Sequence, residues 1–174
     1  MSGQEKLQEL VLYLSVLSEG DPRFSKTKLY KLLFNVDFRA YRELGRSITD
    51  QEYRKLPRGP VPADAAAALA ELHRQKALWI RETPYFNYSQ QKPLALRSAD
   101  LSSFSGPEVS LIDRLVLEFW DRSAKEMSDL SHEFIGWKAV EWGAPIPYDM
   151  ALVNLEEPSE EDYEYARELA AQGR

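Results

Sequence analysis

One carboxylate stands where a carboxylate is costly. Asp37 lies in residues 28–62, KLYKLLFNVDFRAYRELGRSITDQEYRKLPRGPVP, on a stretch that is apolar around most of a helix. A carboxyl in such surroundings needs hydrogen-bond donors or a counter-charge. Two roles fit. Asp37 is a general base or partner-contacting acid, or it is a buried acceptor for backbone amides of the 58–61 turn, the Tyr53 hydroxyl or an imidazole. The second is favoured, because the pattern around it is that of a core and no nucleophile stands near it in sequence. Ser131, His132 and Glu133 are the other residues that invite chemistry, since histidine is the usual proton shuttle near neutral pH. Consecutive helical residues point about 100° apart, so the three cannot form a triad among themselves. Assembled with Asp37 in space, they would make a hydrolase or nuclease site. In the plainer reading Ser131 satisfies a helix-start amide and His132 bonds a core acceptor.

Two further groups point to binding rather than catalysis. Lys28, Lys31, Asn35, Arg39 and Arg42 share the one polar stripe of the central helix, extended by Arg46, Arg54 and Arg58. Such a stripe suits an acidic protein or, less well, nucleic acid. Alternatively it is a solvated face, partly neutralised by Glu160, Glu161, Asp162, Glu164 and Glu168 near the C-terminus. Tyr85, Phe86 and Tyr88 crowd a segment between Pro84 and Pro93, and aromatic residues concentrate at interfaces. They either dock on the chain's own helices or meet a partner. Trp120, Trp137 and Trp142 fall at helical spacings that predict core packing.

The elements that must position these residues are mostly helical. Leu7, Leu10, Val11, Leu14 and Leu17 mark a helix over 4–17, stopped by Gly20, Asp21 and Pro22. The central helix runs over 25–44 and closes at Gly45. Its apolar residues cover most of the circumference, which predicts contacts on several sides. Residues 48–56 form a short strand or an extended arm, followed by a turn at 58–62. Pro62 suits the first turn of a helix over 63–77. Strands at 79–82 and 94–97 pair as a hairpin. Further helices are predicted over 106–123, over 130–142 with Ser128 or Asp129 as cap, and over 156–171. The fold class is therefore mainly α with a small β-hairpin (α+β), winged-helix-like in its middle part. As a reading helix for DNA, 63–77 is poor, because it presents alanines with Asp64 and Glu71 where base-reading polar residues belong.

Composition narrows the classes. The chain has 174 residues, enough for one domain with a real core. It lacks cysteine, which excludes disulfides and thiolate metal sites, and its two histidines, His73 and His132, do not suggest a metal centre. No apolar run reaches bilayer length, and MSGQEKLQEL does not read as a secretory leader, so a soluble, cytoplasmic protein is expected. The net charge of −6 disfavours general nucleic-acid binding. Residues 21–60, however, carry ten Lys/Arg against five Asp/Glu.

Taken together, Lys28-Leu29-Tyr30-Lys31-Leu32-Leu33, Asp37, Gly45, Ile48-Thr49, Tyr53, Gly59-Pro60-Val61, Ser131-His132-Glu133, Trp137 and Pro145-Ile146-Pro147 resemble, in order and spacing, the Panacea domain of the SocA-like antitoxins. This family was formerly a domain of unknown function and often lies near prophage genes. The resemblance runs from about Leu7 to Ala151. It implies an antitoxin domain over 1–155; the acidic C-terminal helix over 156–174 is expected, from its position, to pack on the same domain. It also implies a cognate protein toxin neutralised by direct contact, and in one branch delivery of the toxin to a AAA+ protease. No cofactor, metal or catalytic activity comes with the family.

Overall fold

A computed structural model describes residues 3–85, 88–153 and 160–171; for residues 85, 88, 161–163, 165, 166 and 169 the description covers the backbone. In chain order it contains α1 (Gly3–Leu17), α2 (Lys26–Leu44), β1 (Tyr53–Arg54), β2 (Val61–Pro62), α3 (Ala65–Arg74), β3 (Leu78–Tyr85), β4 (Tyr88–Ala95), α4 (Gly106–Glu118), α5 (Ala124–Glu133), α6 (Ile135–Ala139), a 3-10 turn (Tyr148–Leu152) and α7 (Glu160–Ala171). The class is α+β: helices with two separate antiparallel strand pairs, β1 with β2 and β3 with β4. None of the described helices is long and apolar enough to cross a membrane.

The nearly all-round apolar character of α2 has a direct structural consequence. Leu29, Leu32, Leu33, Val36 and Ala40 enter a main core with Leu7, Leu10, Val11 and Leu14 of α1 and with Ile112 and Leu115 of α4. Phe34 and Phe38 leave the same helix on another side and join Tyr53 and Ile146 in a second, aromatic core. One helix thus serves two cores, and each covers a face that water would otherwise wet. Local signals start and stop α2 as the sequence predicts. The Ser25 hydroxyl accepts from the Lys28 amide at 3.2 Å, and Gly45, at φ 77°, donates its amide to the Tyr41 carbonyl at 3.1 Å.

The expected hairpin forms, but each strand is eight residues long and reaches Tyr85 and Tyr88; Trp79 pairs with Leu94 and Leu78 with Ala95, so Leu96 and Arg97 of the expected 94–97 strand lie beyond β4. The expected aromatic tip of Tyr85, Phe86 and Tyr88 lies outside the described residues apart from the backbone of the two tyrosines.

Several expectations are corrected. Pro62 is not in a helix; it sits in β2 opposite Tyr53, and α3 begins at Ala65. The helix over 130–142 is two helices. Ser123 and Glu126 form a reciprocal capping box that starts α5 at Ala124, six residues before Leu130. Phe134, at ψ 127°, then breaks the chain before α6. Ser131, His132 and Glu133 therefore occupy a last turn, not a first. Trp120 and Trp142, expected in the core, are 41% and 62% exposed.

Candidate functional site

Asp37 is completely buried, and donors surround it. Its Oδ1 accepts from the amides of Ile48 at 2.8 Å and Thr49 at 2.9 Å. Its Oδ2 accepts from the Tyr53 hydroxyl at 2.7 Å and from the Thr49 hydroxyl. Burial pushes the carboxyl above its ordinary value, against the pull of these four donors. Asp37 thus fastens the 48–53 segment to α2. Tyr53 follows from this arrangement. Its hydroxyl holds Asp37 while its ring stands edge-on to Phe34 and Phe38. The expected acceptor role is seen, with one change of partner: the amides come from Ile48 and Thr49, not from the 58–61 turn, and no imidazole bonds it. Ile48-Thr49 follows the α2 stop at Gly45 closely enough to fold back on the helix end.

The basic stripe does not exist as one exposed face. Lys28 is 1% exposed; its Nζ donates to Asp21 Oδ2 at 2.5 Å and to the Phe119 carbonyl at 2.7 Å. It ties the α1–α2 turn to the end of α4. Lys31 is also 1% exposed, and its one hydrogen bond among the described residues, to the Pro60 carbonyl, is long at 3.4 Å. Burial draws its amine down to about 8. Arg39 is half-buried and meets Glu118 at 3.4 Å. Arg42 remains exposed at the rim of a 270 Å³ hollow shared with Phe34, Phe38 and Phe134. The stripe fails because α2 is covered from several sides, so its polar edge becomes a seam between neighbours. Of the proposed extensions, Arg46 meets Glu108 and Arg54 meets Glu52, while Arg58 is exposed and has no carboxylate partner among the described residues.

Gly59 and Pro60 close over Lys31. A methyl at Gly59 would lie 2.5 Å from Lys31 Nζ and 2.4 Å from Ser131 Oγ, and the backbone there has φ 96°. The position therefore demands glycine twice, for space and for a left-handed backbone. Gly59→Ala is expected to cost about 2 kcal/mol, read as a lower midpoint in urea unfolding with an unchanged slope.

Ser131, 4% exposed, does not satisfy a helix-start amide; its hydroxyl donates to the Ser128 carbonyl at 2.8 Å. His132 does not bond a core acceptor either. Its ring stacks on Trp137 at 4.1 Å, and the buried Nε2 has no partner among the described residues. Burial, and then the Lys31 charge, push His132 below its ordinary value. Trp137 also stands edge-on to Trp142, and Lys55 Nζ sits over both rings, 4.6 and 4.9 Å from their centres. None of the four groups that bond Asp37 is an imidazole, so the geometry does not join Asp37 to His132 as a catalytic pair. Among the described residues no cluster of His, Cys, Asp or Glu could hold a metal ion.

A hollow of about 670 Å³ opens between the start of α2, the 56–58 loop and β4. Lys31 contributes to its wall, with Lys26 and Arg58 nearby. Sequence reasoning placed Lys31 on an outer face and so missed its position under a loop 25 residues further on. Its spacing opposite the apolar residues of α2 held no hint of that cover.

Over residues 29–138 the chain matches the family model described as "Antitoxin SocA-like, Panacea domain". Comparisons with curated proteins and with solved structures gave no match.

Proposed function

Because the chain belongs to the SocA-like antitoxins of the Panacea domain type, we propose that it neutralises a cognate protein toxin in the cytoplasm by binding it directly, without chemistry of its own. The observation that carries this reading is the state of Asp37. The sharpest acid–base candidate of the chain is sealed from water with both oxygens occupied. What it supports is a scaffold, and a scaffold acts through its surface. Residues 1–155 make up the binding domain in this reading, with the acidic C-terminal helix packed on it. Arg39, Arg42 and the aromatic residues Tyr85, Phe86 and Tyr88 remain contact candidates, whereas Lys28 serves the interior.

The test is co-expression with the product of the adjacent gene. Growth arrest by that product alone, relieved when this protein is present and accompanied by a stable two-protein complex on size exclusion, is the expected result. Continued arrest despite abundant folded protein would overturn the reading. Relief accompanied by toxin loss that requires a AAA+ protease would mark delivery for degradation in place of occlusion.

A further inference from the structure

The charged residues lining the 670 Å³ cleft are all cationic. Its lining includes Lys26, Lys31 and Arg58 and no aspartate or glutamate. Elsewhere the chain, with a net charge of −6, matches many of its cations to carboxylates, as in Arg54–Glu52, Arg97–Glu9 and Arg114–Glu43. Among the described residues Lys26 Nζ in the cleft bonds the neutral Gln91 Oε1, at 3.1 Å, and the Arg58 side chain has no carboxylate partner, its carbonyl accepting from the Ser128 hydroxyl at 3.0 Å. Lys31 is the telling member. A buried ammonium has three N–H donors, and among the described residues this one has a single long contact, to the Pro60 carbonyl. Burying a charge so poorly satisfied is costly, and a counter-ion in the cleft would relieve that cost. The walls also include Tyr30, Leu56 and Val61, whose apolar surface suits a side-chain stem and strengthens an ion pair by excluding water.

We propose that this cleft receives an acidic segment of the partner protein, with an aspartate or glutamate carboxylate set against Lys26 and Arg58 and within the field of the buried Lys31 ammonium beneath them. The proposal rests on the partner-binding reading above and adds the chemistry of the contact. A polyphosphate chain is a poorer fit, because three cations in an otherwise acidic molecule offer no continuous track for a backbone.

The probes are two blocked pentapeptides, Leu-Glu-Leu-Glu-Leu and Leu-Gln-Leu-Gln-Leu, titrated into the full-length 15N-labelled protein. The glutamate peptide is expected to shift the amides of residues 25–31 and 56–61, and the glutamine peptide to leave them in place. Lys31→Met keeps the side-chain volume and removes the charge; Arg58→Glu changes only an exposed loop. Each is expected to weaken the glutamate peptide by about tenfold or more. Equal binding of both peptides, or binding untouched by both substitutions, would overturn the proposal. So would inorganic phosphate or oligothymidylate shifting the same amides at lower concentration than the glutamate peptide. Failure of the peptide alongside intact toxin neutralisation removes the cleft and leaves the antitoxin reading. Failure of neutralisation by the wild-type protein removes that reading itself.

Discussion

Asp37→Ala is expected to lower the melting temperature by roughly 10–15 °C. The arithmetic starts from four donors that lose their acceptor at once: the Ile48 and Thr49 amides and the Thr49 and Tyr53 hydroxyls. An orphaned buried donor costs about 1–3 kcal/mol. The Thr49 and Tyr53 hydroxyls can rotate toward other acceptors and water can enter the space, so a net loss of about 4 kcal/mol is a fair total. In a chain of this length each 1 kcal/mol moves the midpoint by about 2–4 °C. Asp37→Asn separates shape from charge. Its Oδ1 still accepts both amides, and its Nδ2 meets two hydroxyls able to turn and accept. It is expected to cost less than half as much as alanine. Differential scanning calorimetry on both variants checks this. A wild-type midpoint for Asp37→Ala, coupled with lost toxin binding, would show Asp37 to be a contact residue and not a strut.

Lys31→Met is expected to act in the opposite direction and stabilise the fold by roughly 2–3 kcal/mol at neutral pH. The wild-type amine falls from 10.5 to about 8 through burial. A lysine whose folded value lies below its unfolded value binds its proton less well when folded. Its penalty is therefore complete below pH 8. As pH rises from about 8 to 10.5 the unfolded chain holds the extra proton, and wild-type stability increases. The gap between variant and wild type should close over that window. Urea unfolding at pH 7, 9 and 10.5 measures it. A destabilised variant, or a gap that does not change with pH, would show that Lys31 is satisfied in the folded protein. Stabilisation together with lost affinity for the glutamate peptide would indicate that the charge is retained for binding despite what it costs the fold.

The helices could be read from the sequence wherever local rules dominate. Ser25 and Gly45 bound α2 because a hydroxyl cap and a left-handed glycine act within a few residues. The hairpin pairing near Trp79 and Leu94 was visible for the same reason. The division at Phe134 was not, since no proline or glycine announces it at that residue; the Ser123 box that starts α5 was legible but overlooked. Tryptophan spacing misled as well. Periodicity marks a face of a helix, but whether another element covers that face depends on the rest of the chain, and Trp142 is left largely open.

By itself the sequence determined that α2 is central and that the chain is of the SocA-like antitoxin family, and it favoured a buried acceptor role for Asp37 over a catalytic or contact role. Apolar periodicity, caps and motif order are properties of neighbouring residues, so they survive without coordinates. Only the tertiary structure decided which donors reach Asp37, that Lys28 is neutralised inside by Asp21, and that Lys31 lies under Gly59 and Pro60 beside a cationic cleft. Those outcomes depend on groups up to 28 residues apart along the chain in the Lys31–Gly59 case, and much further for Lys28 and Phe119. Charge and burial are set by what packing brings together, and a one-dimensional pattern does not contain that distance.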